Sequence, residues 1–188
     1  MRAGIVWLLS LLLLPLAGAP LLRHGAYRRF STVTRAVLAG MVGAVLFSFL
    51  MVVWSLLEWT WNTLVLFACA TALAGLLRWL LKGEAAETRM ALVRMPEDGG
   101  LTRGGTALMV LSVATAAAAT VAGAATSGDL VLFWGSKAQQ FALSRTIDAS
   151  FLREPFHFYM QLSYPPLVTN VYALCTMVAG RFPWGAAA

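Results

Sequence analysis

Five apolar stretches, each 16 to 22 residues long and separated by short clusters of charge, constrain this chain more than any other feature. They occupy residues 4–22, 36–57, 62–81, 106–126 and 167–182. A helix rises 1.5 Å per residue, so each of the first four is long enough to cross about 30 Å of hydrocarbon, whereas the last is short. Charged residues make up only 12% of the chain, against roughly 25% in a soluble domain. The sequence therefore predicts an all-α, polytopic integral membrane protein with about five transmembrane helices.

The basic residues between these stretches predict the orientation of the helices. The loop 23–35 carries four arginines and no acidic residue, whereas the turn 58–61 carries no basic residue. Segment 78–103 carries five basic residues against four acidic ones. Because basic loops stay on the cytoplasmic side, we expect cytoplasmic loops at 23–35 and 82–105. The amino terminus, the turn 58–61 and the stretch 127–165 are then expected outside.

Several function classes lack a signal in this sequence. Cys69 and Cys175 lie in apolar stretches without a neighbouring metal-ligand pattern, and are interpreted as buried free cysteines. The net charge of +6 comes largely from residues in loops beside the spans, which favours contact with lipid headgroups over nucleic acid. No ionisable residue lies near the centre of a span and no internal repeat is visible, so a transporter is disfavoured.

Two spans carry local patterns of their own. In the first, Ala17-Gly18-Ala19 has the form of a signal-peptide cleavage site, but the apolar run is long for a signal peptide and four arginines follow it, which favours an uncleaved helix. The fourth span is rich in small residues, which predicts that it lies inside the bundle. Four tryptophans near span ends are interpreted as interfacial anchors: Trp54, Trp59, Trp61 and Trp79.

The stretch 127–166, between the fourth and fifth spans, has the pattern of an external loop with an interfacial helix. Apolar residues recur along one helical face and would lie on the membrane: Leu130, Phe133, Trp134 and Phe141. Asp129 precedes them. At the far end, Tyr164 is followed by Pro165 and Pro166, which prevent the preceding residues from continuing a helix. We expect the fifth span, 167–188 with its short tail, to begin there.

Each polar residue of this loop also has a structural interpretation. Asp129 is a good helix N-cap, and Lys137, Arg145 and Arg153 are the type of residue that extends towards lipid headgroups. His157 has no second histidine or carboxylate at helical spacing, so spacing alone predicts no metal site.

The combination of residues in this loop is more specific than any one of them. Asp129, the pair Phe133-Trp134, Lys137 and His157, followed by Tyr164-Pro165-Pro166, resemble the first external loop of membrane glycosyltransferases of the GT-C class. The likeness is greatest to the bacterial branch grouped with Rgt-type and mannosyltransferase-like domains, and it covers about 40 residues. In that family an acidic residue of this loop is catalytic or contacts a metal, and the sugar donor is a polyprenyl phosphate lipid.

The resemblance implies a role for each of these residues. Asp129 is the candidate catalytic residue, and three cationic or titratable residues are candidates for binding the donor phosphate: Lys137, Arg153 and His157. Tyr164, Pro165 and Pro166 shape the loop. Many family members carry a paired acidic motif, whereas Asp129 stands between Gly128 and Leu130, so the metal requirement stays open, with a divalent ion as one option.

The expected partners are a lipid-linked sugar donor and membrane lipids, with no nucleic acid, at a bacterial plasma membrane. Members of the class usually have eight or more spans, so the chain is interpreted as an amino-terminal portion, and family membership does not imply that this portion is active by itself. The alternative is a non-enzymatic scaffold or assembly subunit, whose loop charges would be individually replaceable.

Overall fold

The computed structural model describes residues 2–22, 30–81, 133–154 and 166–184, and all regular structure within them is helical. The helices are α1 (Arg2–Ser10), α2 (Leu13–Leu22), α3 (Thr32–Leu56), α4 (Thr63–Leu80), α5 (Gly135–Ser144), α6 (Ala149–Arg153) and α7 (Leu167–Ala179). Three helical segments are long and apolar enough to cross a membrane: Gly4–Leu22, Thr32–Leu56 and Thr63–Leu80. They confirm that the first three apolar stretches form helices long and apolar enough to span a membrane. The predicted fourth span lies outside the described residues.

The first of these segments is interrupted where α1 meets α2. Pro15 has no N–H to donate to the carbonyl of Leu11, and its ring disfavours a regular helical turn before it. The backbone tightens there, and the N–H of Leu14 donates to the carbonyl of Leu11 at 3.1 Å instead. The two short helices therefore form one apolar segment with a tightened turn between them.

Helix α3 begins earlier than the sequence analysis expected. The Ser31 side chain accepts a hydrogen bond from the backbone N–H of Thr34 at 3.1 Å and caps the helix. Arg35 therefore lies in the first turn of α3. The loop predicted to reach residue 35 ends at Ser31 instead. The signal for this boundary is the serine itself, which is a good N-cap residue.

Helices α2 and α3 are antiparallel and approach closely at two glycines. A Cβ added to Gly43 would lie 2.6 Å from the carbonyl carbon of Leu14, and one added to Gly18 would lie 2.9 Å from the backbone nitrogen of Gly43. Small residues allow backbones to pack at this distance, where van der Waals contact holds membrane helices together. The tightest small-residue contact described thus lies between the first two spans, whereas the predicted one at 106–126 lies outside the described residues.

Helix α7 differs from the fifth span expected at 167–182. It has 13 residues and ends at Gly180, which takes the left-handed conformation with φ 78°. An apolar helix of that length is typical of a buried or re-entrant segment rather than a full crossing. The side chain of Asn170, near its start, donates to Ser48 in the interior of α3.

The end of α7 lies at the same end of the bundle as the junction between α3 and α4. Gly180 and Arg181 line a cavity together with Asn62 and Thr63, which begin α4. We call this end, where α3 stops and α4 starts, the turn end. The carboxyl end of the predicted fifth span therefore lies beside the start of α4.

Candidate functional site

Helices α5 and α6 are joined to the turn end by backbone hydrogen bonds. The N–H of Trp61 donates to the carbonyl of Arg145 at 2.7 Å. The N–H of Ile147 donates to the Ser55 hydroxyl at 3.0 Å. These bonds join the α5–α6 connection to the last turn of α3 and to Trp61, two residues before α4. The described part of the 127–166 loop and the turn 58–61 therefore lie at one end of the bundle.

The side chain of Trp61 fills the space between α3 and α5. It is fully buried, and its indole N–H donates to the carbonyl of Met51 at 3.0 Å and to the Ser55 hydroxyl at 3.1 Å. Its ring meets Phe141 of α5 edge to face, with centroids 6.3 Å apart. The interpretation of Trp61 as a lipid-facing anchor is therefore wrong, whereas Trp59 and Trp79 are exposed as anchors should be.

Lys137 lies on the inner face of α5, which also buries Ala138 and Phe141. Only 4% of its surface is exposed. Burial disfavours the charged form, so desolvation lowers the pKa of Lys137 from its ordinary value of 10.5. Lys137 is thus buried within the protein and does not extend towards lipid headgroups, which was its alternative interpretation from the sequence.

Arg153 occupies a different environment from Lys137. It lies in the last turn of α6 and is exposed. The structure therefore does not place these two predicted phosphate ligands on one exposed surface. Asp129, His157, Tyr164 and Pro165 lie outside the described residues.

Pro166 has a local structural role at the start of α7. It is the N-cap residue of this helix, and its carbonyl accepts the N–H of Asn170 at 2.7 Å. The structure thus describes this one residue of the predicted Tyr164-Pro165-Pro166 segment at a helix boundary.

Asp148 is a structural carboxylate that the sequence analysis did not single out. It caps α6 by accepting the N–H of Phe151 at 2.9 Å, and it also accepts bonds from the Ser150 hydroxyl at 2.6 Å and the Gln140 amide at 2.8 Å. The bond from Gln140 ties α5 to α6. The order Asp-Ala-Ser-Phe, an acidic residue just before a short apolar turn, is the signal that predicts such a cap.

Replacing Asp148 should change how stability responds to acid. Burial alone raises the pKa of Asp148, but the hydrogen bonds from Phe151, Ser150 and Gln140 outweigh it and hold the pKa below 3.8. A carboxyl with a depressed pKa in the folded state stabilises the fold above its unfolded pKa, and this contribution disappears as the pH falls through the folded pKa. Between about pH 5 and pH 2, wild type should therefore lose more thermal stability in detergent than Asp148→Asn. Parallel pH profiles for the two proteins would contradict this role.

Two arginines line the cavity at the turn end, between the start of α4, the end of α5 and the end of α7. The cavity has a volume of about 420 Å³, and Arg145 and Arg181 both border it. Arg145 follows α5 in the left-handed conformation with φ 54°, and Arg181 follows the left-handed Gly180. The sequence analysis considered Arg145 as a cation at headgroup depth and did not consider Arg181. The glycine that ends an apolar run just before Arg181 is the signal that marks it as a residue beyond a helix end.

The described residues include no metal centre. Within residues 2–22, 30–81, 133–154 and 166–184, no three side chains of histidine, cysteine, aspartate or glutamate come together as a metal site requires. The residues for which the resemblance leaves a metal open, Asp129 and His157, are outside these ranges. The polar groups of the described part of the site are therefore cations, hydroxyls, amides and the Asp148 carboxylate.

Comparison with known proteins identifies no relative: no family model matches the chain, and no curated protein and no solved structure is significantly similar to it.

Proposed function

We propose that the chain is a membrane glycosyltransferase of the GT-C class that transfers a sugar from a polyprenyl-phosphate donor to an acceptor at the turn end of the bundle, on the external face of the membrane. The observation that carries this proposal is Lys137, a buried cation on a short helix that packs against α7 and whose carboxyl end is hydrogen-bonded to the turn end. Lysine is almost never fully buried in a protein unless specific contacts hold its charge, so such a residue beside a membrane is a functional-site candidate.

The chemistry of the loop suits transfer from a lipid phosphate. The acceptor hydroxyl gives its proton to the Asp129 carboxylate while its oxygen forms a bond to the anomeric carbon of the sugar. The bond between that carbon and the phosphate oxygen breaks, and the phosphate leaves with the electron pair. Cationic side chains stabilise the negative charge that grows on the leaving phosphate, and Lys137, Arg153 and His157 are the residues proposed for this role.

The position of α5 supports the proposal for Lys137. The hydrogen bonds from Trp61 and Ile147 fix both sides of Arg145, so the helix that carries Lys137 has a defined place against α3. A cation that is positioned before the reaction stabilises developing charge without reorganising. In a partly desolvated place the same interaction is stronger than in water.

Lys137→Met tests the proposal because it keeps an unbranched apolar stem and removes the charge. Hydrogen bonds to charged groups contribute about 1.5–3 kcal/mol, so we expect kcat/KM for the lipid donor to fall about 10- to 100-fold. Thermal unfolding should show that the variant is folded, because methionine keeps the unbranched shape and most of the volume of the lysine side chain. The measurement is the initial rate of sugar transfer against donor concentration, in membranes of the organism that encodes the chain, with the variant at the native gene.

Arg78→Gln is the matched control, because it also removes one positive charge but lies in the last turn of α4, away from the turn end. We expect its donor curve to equal that of wild type. Unchanged donor curves for both variants would remove Lys137 from the site and favour the non-enzymatic scaffold.

A further inference from the structure

The cavity at the turn end combines two cations with polar side chains. Arg145 and Arg181 border it, and so do Asn62 and Gln139. None of its lining residues in the described chain is acidic. A guanidinium presents several N–H donors in a plane and binds the oxygens of a phosphate in pairs. The cavity therefore has the charge and the donors that a phosphate group requires.

The backbone holds both arginines at defined positions. The carbonyl of Arg145 accepts the N–H of Trp61, so the start of α4 and the end of α5 are joined at this residue. Trp184, three residues beyond Arg181, donates its indole N–H to Gln139 of α5. The end of α7 is thereby tied to the same helix. These contacts bring two cations from distant parts of the sequence to one cavity.

The same cavity has an apolar side that is open to the surroundings. Leu64 at the start of α4 is 80% exposed, and Leu143 near the end of α5 is 70% exposed. Both border the cavity. A free phosphate ion would make no use of these leucines, whereas a hydrocarbon chain attached to the phosphate would cover them. The arrangement fits an amphiphile with its charged group at the arginines and its chain along the leucines.

The charge of the cavity also selects among lipids. A zwitterionic headgroup carries an ammonium group, and no acidic residue lines the described cavity to pair with it. An anionic headgroup has no ammonium group to balance the negative charge of its phosphate. That charge can pair with the two guanidinium groups. The volume of about 420 Å³ lies within the roughly 300–1,000 Å³ range of small-molecule sites.

We propose that this cavity binds the phosphate of an anionic phospholipid through Arg145 and Arg181, with an acyl chain lying along Leu64 and Leu143. This site is separate from the proposed donor site, because Lys137 is buried on another face of α5 and does not border the cavity. The proposal therefore stands whether or not the chain is a transferase. The bound lipid joins α4, α5 and α7 and stabilises the turn end.

Native mass spectrometry of the full chain in detergent tests the proposal, with phosphatidylglycerol as the anionic probe and phosphatidylcholine as the zwitterionic one. The double variant Arg145→Asn, Arg181→Gln removes both charges, and asparagine is tolerated in the left-handed conformation of residue 145. We expect phosphatidylglycerol to bind wild type at least about 10-fold more tightly than it binds the double variant. Arg78→Gln, at the other end of α4, should bind as wild type does.

Thermal unfolding shows whether each variant is folded and whether the lipid stabilises it. Phosphatidylglycerol should raise the Tm of wild type and of Arg78→Gln, because a ligand that binds only the folded state stabilises it, and should leave the Tm of the double variant unchanged. Equal affinity for the two phospholipids, or undiminished binding of phosphatidylglycerol to the double variant, would overturn the proposal. Displacement of the lipid by micromolar inorganic phosphate would identify a free-anion site instead and would also overturn it.

Discussion

Gly43→Ala should separate α2 from α3 and destabilise the protein by about 3 kcal/mol, whereas Gly75→Ala should be neutral or stabilising. At Gly43 the added Cβ meets the backbone of Leu14, and a backbone carbonyl cannot rotate away as the end of a flexible side chain can. The two helices would have to move apart along the contact that includes Gly18, which loses van der Waals contact between the first two spans.

Gly75 provides a matched control within the same bundle. It lies in α4, and a Cβ added there meets no atom within 4 Å. The chemical change is the same in both variants, so any general effect of alanine on helix propensity cancels in the comparison. The measurement is the midpoint of thermal or SDS unfolding in detergent. Equal midpoints for the two variants would show that the α2–α3 contact is looser than described.

The sequence predicted the three long apolar helices because each is a continuous apolar run of membrane length. The segment 4–22 matches Gly4–Leu22, and the segment 62–81 differs from Thr63–Leu80 by one residue at each end. Here length and hydropathy are sufficient, since a spanning segment must satisfy all its backbone hydrogen bonds internally. Helix ends depend on single side chains. The Ser31 cap starts α3 at Thr32, whereas hydropathy alone predicts a later start.

Contacts between distant residues could not be predicted from one sequence. Trp61 reads as an interfacial anchor because it stands near the start of a span, yet it is buried between α3 and α5. The charge of Lys137 favours contact with lipid headgroups, yet the residue is buried on the inner face of α5. Both outcomes depend on which face of α5 packs against the bundle, which the helical periodicity of a ten-residue segment leaves undetermined.

Local sequence patterns also could not predict the position of the carboxyl end of α7. An apolar run of 16 residues after a loop with two prolines is typical of a helix that enters a membrane. The placement of Arg181 beside Asn62, at the turn end, follows from the packing of α7 against α1 and α5. One such contact is the bond from the Trp7 indole N–H to the Thr176 hydroxyl at 3.2 Å. It joins residues that are 169 positions apart, and no window of sequence reveals it.

The second large effect is expected for Asp129→Asn. Asparagine keeps the size of the side chain and is also a good N-cap, so helix formation should be preserved. It cannot accept the proton of the acceptor hydroxyl as a carboxylate does, and loss of a general base lowers the rate by about 100-fold or more. Asp148→Asn makes the same chemical change at a carboxylate that caps α6, and it should leave transfer near the wild-type rate.

The central claim is tested most directly by transfer of a radiolabelled sugar from a polyprenyl-phosphate donor. The assay uses membranes of the encoding organism with each variant introduced at the native gene, and rates are normalised to the amount of protein. We predict donor-dependent transfer by wild type and by Asp148→Asn, and a loss of about 100-fold in Asp129→Asn. A transfer rate in Asp129→Asn equal to that of wild type, or wild-type membranes no more active than membranes of the deletion strain, would contradict the account.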